Sequence, residues 1–562
     1  MMSSIAFVGA GPTTLYALKA LLRAPVRGVG VTVFEAEAEP GVGSPYRAGW
    51  NGPSMLSNIA SAEIPPVTET LLAWLQGRAD AELRDLGVEA ADLSDRTFVP
   101  RVALGRYFRD QFERVVDQLR SAGACVDVRA GRRVDDVAIR GEGVELRWSG
   151  ATGAETGRFD HVVLATGHQW PSKQESRPGY FTSPWPAATL AALPPTKVGV
   201  RGSSLTAIDA AIAVAGAHGA FTRGADGRIK YEPAAGTEGL RITLMSRKGL
   251  LPEADFYFPL PHPPLTICTP QAIAGVIEAG GVDLLDRAFD LFRREMAAVD
   301  PAYVAAVGLQ RGDLEAFGEA YFADRMATDP FVWAATNLAE AQANHQTRFT
   351  VPWRDALLRL HEVMASITPH LDKVQFDRFS RHLKPVFVDA YGAAPHESVE
   401  RMLALHRAGK LEVLALGDDH MVDTRRPEGG ARLTRRGISR SFPVFIEGTG
   451  QRILGAIQFP FLSLIEQGVV RDAGAAQDAE SDKVEGARGV EIDDHFSLVA
   501  DGLTPDRLFC LSLPFILGRH PFAQGLTSSH EMGEIVGRRL AVVAARSAEA
   551  AHPPVDRLQA VA

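Results

Sequence analysis

Two glycines and a carboxylate near the N-terminus have the types and spacing needed to bind a dinucleotide. The run Gly9-Ala10-Gly11-Pro12-Thr13-Thr14 follows a predicted strand at residues 5–8 and opens a predicted helix, and Glu35 ends the next strand. Glycines let the backbone approach a pyrophosphate, the helix N-terminus favours its charge, and the carboxylate accepts hydrogen bonds from ribose hydroxyls. The predicted binding residues are Gly9, Gly11, Pro12, Thr13, Thr14 and Glu35. Thr14 replaces the small third residue of the fingerprint, so we expect a looser contact between helix and strand. The alternative is a tight turn in another α/β fold.

A second strand, turn and helix at residues 197–214 repeats this pattern in weaker form. Gly202 begins the turn, and Ser204 stands where the second glycine would be. Arg247 and Lys248 follow the next predicted strand, at the place where cations would bind a 2′-phosphate. The pattern predicts a second nucleotide site and favours NADPH over NADH, against the alternative of a solvated basic turn.

Two further segments lie where a chain would pass a bound dinucleotide. A strand ends in Ala165-Thr166-Gly167, a small and flexible crossing, although any strand could end in this way. Near the C-terminus, Gln524 and Thr527 precede an apolar helix predicted over 528–546, with Thr and Ser available as caps. Packing of an ordinary capped helix on the sheet explains this second segment equally well.

The elements that position these residues predict an α/β fold with two Rossmann-like dinucleotide-binding domains and a large helical insertion. The polar excursion at 219–239 is expected to be a surface loop, and 472–488 a mobile loop. The predicted division is 1–170 for the first dinucleotide-binding domain, 190–270 for the second, NAD(P)-binding-like domain, 271–410 for the helical insertion, 411–440 for a return to the second domain, 441–549 for a return to the first, and 550–562 for a disordered tail.

Composition narrows the function classes. The chain has 562 residues, a formal net charge of -9 and three widely spaced cysteines without a C-x-x-C pair. The charge argues against nucleic acid or an anionic membrane as partner, and the cysteines suggest neither a disulfide framework nor a metal site. The apolar N-terminus reads as a first strand rather than a signal peptide, and no segment is long enough to span a membrane. We expect a cytoplasmic protein that binds small molecules.

Taken together, the motifs resemble the FAD/NAD(P)-binding family related to flavin-containing and N-hydroxylating monooxygenases. Besides the two turns, the resemblance is carried by 41–46, 55–58, Val99-Pro-Arg101, 205–209, 246–252, 352–354 and 447–450. It implies that Ser57, Asn58, Arg101, Thr166 and Gly167 lie around FAD, and that the late helix at Gln524 and Thr527 points its N-terminus at the flavin. Arg101 could instead cap a helix, and Asn58 could hold a turn.

The resemblance also implies a function. It indicates an FAD-dependent oxidoreductase reduced by NADPH, a monooxygenase that oxygenates a small amine-like nucleophile with molecular oxygen through a flavin hydroperoxide. Two alternatives stay open: an FAD-dependent oxidase or dehydrogenase that does not use nicotinamide, and a non-catalytic FAD-binding sensor or partner protein. Catalytic residues are not assigned. The acid–base candidates are His262, His345, His382 and His520, each better explained as a structural or solvated histidine. The candidate pocket residues of the insertion are Trp333, Asn337, Trp353 and Tyr391, although aromatic residues there more often belong to the core.

Overall fold

A computed structural model describes residues 3–52, 54–150, 153–171, 173–474 and 488–551. The N-terminal part contains β1 Ser4–Val8, α1 Pro12–Leu21, β2 Gly30–Phe34, α2 Leu71–Gln76, α3 Asp80–Asp85, α4 Arg101–Ser121, β3 Cys125–Arg129, β4 Val134–Arg140, β5 Gly143–Gly150, β6 Gly153–Phe159 and β7 His161–Leu164. The second part contains β8 Glu175–Arg177, β9 Tyr180–Phe181, α5 Ala188–Ala191, β10 Lys197–Arg201, α6 Leu205–Gly216, β11 Gly219–Arg223, β12 Ile229–Pro233 and β13 Arg241–Ser246.

A long helical region follows and then a mixed C-terminal part. The helices are α7 Pro270–Ala279, α8 Leu284–Val299, α9 Pro301–Ala306, α10 Leu314–Ala327, α11 Pro330–Thr347, α12 Pro352–Ala365, α13 Lys373–Arg378, α14 Lys384–Tyr391 and α15 His396–Arg407. The remaining elements are β14 Leu411–Ala415, β15 His420–Asp423, β16 Ala431–Arg435, β17 Ile438–Phe442, β18 Val444–Glu447, α16 Leu462–Glu466, β19 Leu508–Cys510, α17 Leu513–Ile516 and α18 Leu526–Ala551.

One parallel sheet and one mostly parallel sheet, with an antiparallel β8–β9 pair at its edge, organise the chain. This confirms the predicted α/β fold with two Rossmann-like units and a helical region. The first sheet has the order β19-β7-β1-β2-β3, and the second has the order β14-β13-β10-β18-β9-β8. In each sheet the first strand of a βα unit, β1 or β10, lies between two parallel partners. The strand order reverses direction at β1 and at β10. The carboxyl ends of these two strands are therefore topological switch points, the places where ligands bind in open α/β sheets.

The structure corrects two of the sequence-based assignments. Residues 444–447 were placed in the returning first domain, yet β18 pairs with β10 in the second sheet, so the return begins after Glu447. The predicted surface loop at 219–239 contains an antiparallel hairpin of β11 and β12. Glycine and charged residues interrupt the alternation of apolar and polar residues that would have indicated the two strands. The predicted mobile loop at 472–488 falls largely on residues 475–487, and most of the predicted tail falls on 552–562, both outside the described residues.

The first domain depends on a close contact between α1 and α18. A Cβ added at Gly533 would lie 2.7 Å from Cβ of Tyr16, and one at Gly537 would lie 2.4 Å from the carbonyl oxygen of Ala17. Such distances are below normal van der Waals contact, so the two glycines are what allow the helices to approach. This packing brings the N-terminus of α18 to the end of the first sheet.

The helical region has its own apolar core. Phe292, Phe317 and Phe387 are buried at its centre, and Phe522 from the C-terminal part packs into the same cluster. No helix in the described part of the chain combines the length and apolarity that a membrane crossing requires.

Candidate functional site

A cavity of about 840 Å³ lies at the carboxyl ends of β1, β2 and β7. We call it the dinucleotide cavity. Its volume falls within the range of small-molecule sites, and its position is the switch point of the first sheet. The predicted residues that line it are Gly9, Gly11, Pro12, Thr13, Glu35, Thr166, Gly167 and Gln524.

The glycine turn is shaped by a close backbone crossing. Gly9 has φ of 103°, and a Cβ at this position would lie 2.2 Å from the carbonyl oxygen of Ala165. Only glycine fits this conformation without strain. Gly11 then precedes α1, whose first residue is Pro12. The free N–H groups of the first turn therefore open onto the dinucleotide cavity, as anion binding requires.

Glu35 is fixed at the wall of the same cavity. One carboxylate oxygen accepts a hydrogen bond from the Ala10 amide at 3.0 Å, and the other accepts from the Glu37 amide at 3.0 Å and lies 3.4 Å from Arg47. Thr14 does not line the cavity. Its buried hydroxyl donates to the Gly9 carbonyl at 2.7 Å. This hydrogen bond ties α1 to the glycine turn, at the residue for which the sequence predicts a looser contact between helix and strand.

A second cavity of about 830 Å³, the inner cavity, adjoins the first. The walls common to both cavities include Tyr46, Trp50, His168, Trp170 and Gln524. Ser57, Asn58, Arg101 and Thr527 line the inner cavity, together with Leu260, His262, Ile277, Leu358, His361 and Tyr391 from the segment 260–391. His520 lines it too, whereas His345, His382, Trp333, Asn337 and Trp353 line neither cavity.

Arg101 connects the two domains. Its Nε donates to the Leu56 carbonyl at 3.2 Å, and its guanidinium lies 2.7 Å from the Asp209 carboxylate on α6. Burial raises the pKa of Asp209 to about 6, and Arg101 and Arg401 oppose that shift. Arg101 is therefore both a cavity wall and a tie between domains, rather than a helix cap.

Small polar residues support the walls beside Arg101. The Ser57 hydroxyl donates to the Ile59 carbonyl at 3.1 Å. Ser57 therefore stabilises the turn, a role that the sequence offered as an alternative for Asn58. Asn58 is exposed at the wall of the inner cavity. The Thr166 hydroxyl donates to Ser512 Oγ at 2.8 Å, which fixes the strand end in the dinucleotide cavity.

The second glycine turn is differently placed. Gly202 has φ of 136°, and a Cβ there would lie 2.3 Å from the Gly448 carbonyl oxygen. The neighbouring Arg201 forms a bidentate ion pair with buried Glu447, with both N–O distances 2.6 Å. Gly202 and Ser204 line neither cavity, although the two residues that follow Ser204 reach the inner cavity at the start of α6.

The predicted phosphate-binding cations also lie outside both cavities. Arg247 is exposed at the end of β13. The Lys248 ammonium lies 3.4 Å from the centre of the Phe322 ring, and burial lowers its pKa to about 8. The structure therefore gathers the first set of predicted residues at one site and leaves the second set separate from it.

Two carboxyl groups in the inner cavity were missed by sequence reasoning. Glu362 of α12 and Glu531 of α18 both line it. Desolvation in the cavity and, to a smaller extent, the charge of Glu362 raise the pKa of Glu531 to about 7. Burial also raises the pKa of Glu362, against the effect of His262. Neither residue has a local sequence signal, because each is one of many acids on a helix.

Histidines complete the inner cavity. His262 Nδ1 lies 3.1 Å from the buried Asp355 carboxylate, whose other oxygen accepts from Arg359 Nε at 3.1 Å. Burial lowers the pKa of both His361 and His168 to about 4. His168 borders both cavities and directly follows Thr166-Gly167, a position that could have signalled it.

Two family models match the chain. Residues 6–169 match the FAD-NAD(P)-binding model, and residues 269–391 match the YdhS-like middle domain. The first match covers the glycine turn, Glu35 and the strand end at Thr166, and it confirms the prediction of an FAD- and NAD(P)-binding chain. The open helix N-terminus, the close crossing at Gly9 and the fixed Glu35 carboxylate fit such a cofactor.

The chain is 41% identical to the uncharacterized protein YdhS of Escherichia coli K12 over 546 residues, which is 97% of this chain and 99% of that protein. It belongs to the YdhS family.

Solved structures of similar chain path include an ornithine hydroxylase, PvdA, from Pseudomonas aeruginosa. It is 13% identical with a TM-score of 0.49, covering 96% of this chain and 99% of that one. The FAD-bound cadaverine monooxygenase DfoA from Erwinia amylovora is 14% identical with a TM-score of 0.49, covering 96% and 94%.

Proposed function

We propose that this chain is a cytoplasmic flavin monooxygenase, reduced by NADPH, that uses molecular oxygen to oxygenate a small amine-like substrate. The observation that supports the proposal best is the inner cavity. It joins the dinucleotide cavity at the start of α18, beside Gln524, and two acids, Glu362 and Glu531, line it. Bound FAD would accept hydride from NADPH and supply the chemistry that activates oxygen. The known substrates of PvdA and DfoA, ornithine and cadaverine, carry amino groups.

The two acids suit an amine. Desolvation in the cavity raises the pKa of Glu531, and repulsion by the Glu362 carboxylate adds to that shift. A bound ammonium group would relieve that repulsion. Glu531 could then accept a proton from the ammonium nitrogen, since its pKa of about 7 allows it to bind and release protons near neutral pH. The amine nitrogen would be left with the lone pair that oxygenation needs.

Aromatic side chains close the other side of the cavity. The Phe522 ring lies 5.3 Å from His361 and 5.6 Å from Tyr391, measured between ring centres. Burial raises the pKa of Tyr391 and lowers that of His361, so both rings are neutral near pH 7. These residues would exclude water from the reacting centre.

The central experiment is to purify the FAD-loaded chain and mix it anaerobically with NADPH or NADH while following the flavin absorbance. Fast bleaching by NADPH, followed by amine-dependent oxygen uptake and a hydroxylated product, is expected. The Glu531→Gln variant should keep the bleaching but raise the KM for the amine, because it removes one of the two charges. Amine oxygenation with unchanged KM in this variant would exclude the proposed role of Glu531.

The preference for NADPH is tested separately at the end of β13. Arg247→Ala and Lys248→Ala should raise the KM for NADPH about tenfold, which corresponds to one charge-assisted hydrogen bond, and leave the KM for NADH nearly unchanged. Arg84→Ala, at an exposed position on α3, is the matched control. Equal effects on the two nucleotides would exclude a 2′-phosphate site at these residues.

A second candidate is an FAD-dependent oxidase or dehydrogenase that takes electrons directly from its substrate. It is favoured by the positions of Gly202, Ser204, Arg247 and Lys248, none of which lines either cavity. Flavin bleaching by an amine in the absence of nicotinamide would identify this activity. Tight FAD binding without reduction by any donor would instead indicate a non-catalytic FAD-binding protein.

A further inference from the structure

Three side chains meet at a point outside both cavities. Asp255 lies in the segment after β13, His345 lies near the end of α11, and His396 is the first residue of α15. One potential ligand atom from each residue lies within 4.8 Å of the other two. The three elements are far apart in sequence, so only the packing of the helical region against the second domain brings these groups together.

The contact between His345 and Asp255 has the spacing of two ligands rather than the geometry of a hydrogen bond. His345 Nε2 lies 3.1 Å from a carboxylate oxygen of Asp255. Despite this distance, that buried nitrogen makes no hydrogen bond of acceptable geometry within the described residues. Tetrahedral zinc with bonds of about 2.0–2.1 Å separates adjacent ligand atoms by roughly 3.3 Å. The spacing therefore suits two atoms that face a shared cation.

The backbone orients the other imidazole. His396 Nε2 lies 2.7 Å from the main-chain carbonyl oxygen of Asp255. A carbonyl can only accept, so Nε2 carries the proton and Nδ1 keeps the lone pair that a metal needs. The same backbone segments are paired: the Asp255 amide donates to the Ala394 carbonyl at 2.8 Å, which places Asp255 and His396 side by side.

Aromatic contacts hold the two rings, and the site is open to an entering ion. The His345 ring is 5.0 Å from that of His396 and 5.8 Å from that of Tyr257, both nearly perpendicular. The side chains of His345 and Asp255 are 19% and 14% exposed. The site is therefore ordered by its surroundings yet reachable from solvent.

We propose that Asp255, His345 and His396 bind a divalent first-row cation, Zn²⁺ being the best match, with water completing the coordination. Two imidazoles and one carboxylate are a nitrogen- and oxygen-donor set that favours zinc over magnesium or calcium. The cation links the segment after β13 to α11 and α15, and so clamps the helical region onto the second domain. It takes no part in the chemistry of the two cavities.

The test uses the full, FAD-loaded chain after treatment with a chelator. Titration with ZnCl₂ by calorimetry should show one site per chain, and CoCl₂ should produce the visible absorption of cobalt in a nitrogen and oxygen site. His345→Asn and His396→Asn should each weaken binding by more than about 100-fold, beyond the usual effect of residues that only support a ligand. His495→Asn, at an exposed position elsewhere, should bind like the wild type.

Retention of FAD absorbance shows that each variant is folded. The proposal is overturned if the wild type binds neither Zn²⁺ nor Co²⁺, or if the His345 and His396 variants bind both ions as tightly as the His495 control does. Because the readout is metal binding, its outcome is independent of whether the chain is a monooxygenase.

Discussion

The two strand–turn–helix units of this chain begin alike and are used differently. In the first, the turn at Gly9 and Gly11 opens onto a cavity of about 840 Å³. In the second, the turn at Gly202 is packed against Gly448, and the Arg201–Glu447 ion pair spans the adjacent strand ends. Both turns need glycine for a close backbone crossing. What distinguishes them is the open volume beyond the strand end, which neighbouring segments create or fill.

The largest expected effect tests the first turn. Gly11→Glu places a carboxylate at the N-terminus of α1, where like charge would repel the pyrophosphate, so FAD binding should be abolished. The absorbance of the purified protein measures this. The matched control is Gly275→Glu on α7, where no non-neighbouring atom lies within 4 Å of an added Cβ. The purified control protein should keep the yellow colour of bound FAD. A yellow, FAD-loaded Gly11→Glu protein would refute the cofactor site.

The corresponding change in the second turn should act on nicotinamide alone. Ser204 precedes α6 and makes no capping hydrogen bond with its side chain, so Ser204→Glu should fold normally. We expect FAD to stay bound and the KM for NADPH to rise about tenfold or more, because like charges repel. Ser204→Ala is the control. Unchanged reduction by NADPH in Ser204→Glu would mean that the second turn is not a nucleotide site.

The tie between the units gives a pH dependence. The pKa of Asp209 in the folded chain is about 6, above its ordinary value of 3.8, so the folded state binds this proton more tightly than the unfolded state. Stability must then fall as pH rises from about 4 to 6, by about 3 kcal/mol for this group. Urea denaturation should show that wild type loses this much relative to Asp209→Asn. Parallel curves for the two proteins would contradict the assignment.

The smallest effect concerns Thr14. Thr14→Ala removes the hydrogen bond to the Gly9 carbonyl, made at 2.7 Å, and should cost about 1 kcal/mol of unfolding free energy. FAD should stay bound, because Thr14 does not face the dinucleotide cavity. Urea denaturation and flavin absorbance measure the two quantities. Loss of FAD in this variant would show that Thr14 shapes the first turn more than its contacts indicate.

Sequence reasoning succeeded where the signal was local. The strand predicted at 5–8 is observed as β1 Ser4–Val8, because a short apolar run specifies it. The helical character of 271–410 follows from its apolar spacing. It failed at 444–447, since an apolar strand of four residues carries no information about which sheet it joins.

The sequence alone determined the first glycine turn, the acid that closes it and the two-sheet α/β class, because each depends on residues close together in the chain. Tertiary structure decided the rest. Only folding could pair Arg101 with Asp209, bring Glu362 and Glu531 into one cavity, or gather Asp255, His345 and His396. These groups come from elements separated by about 50 to 170 residues, and their proximity is a property of packing rather than of local sequence.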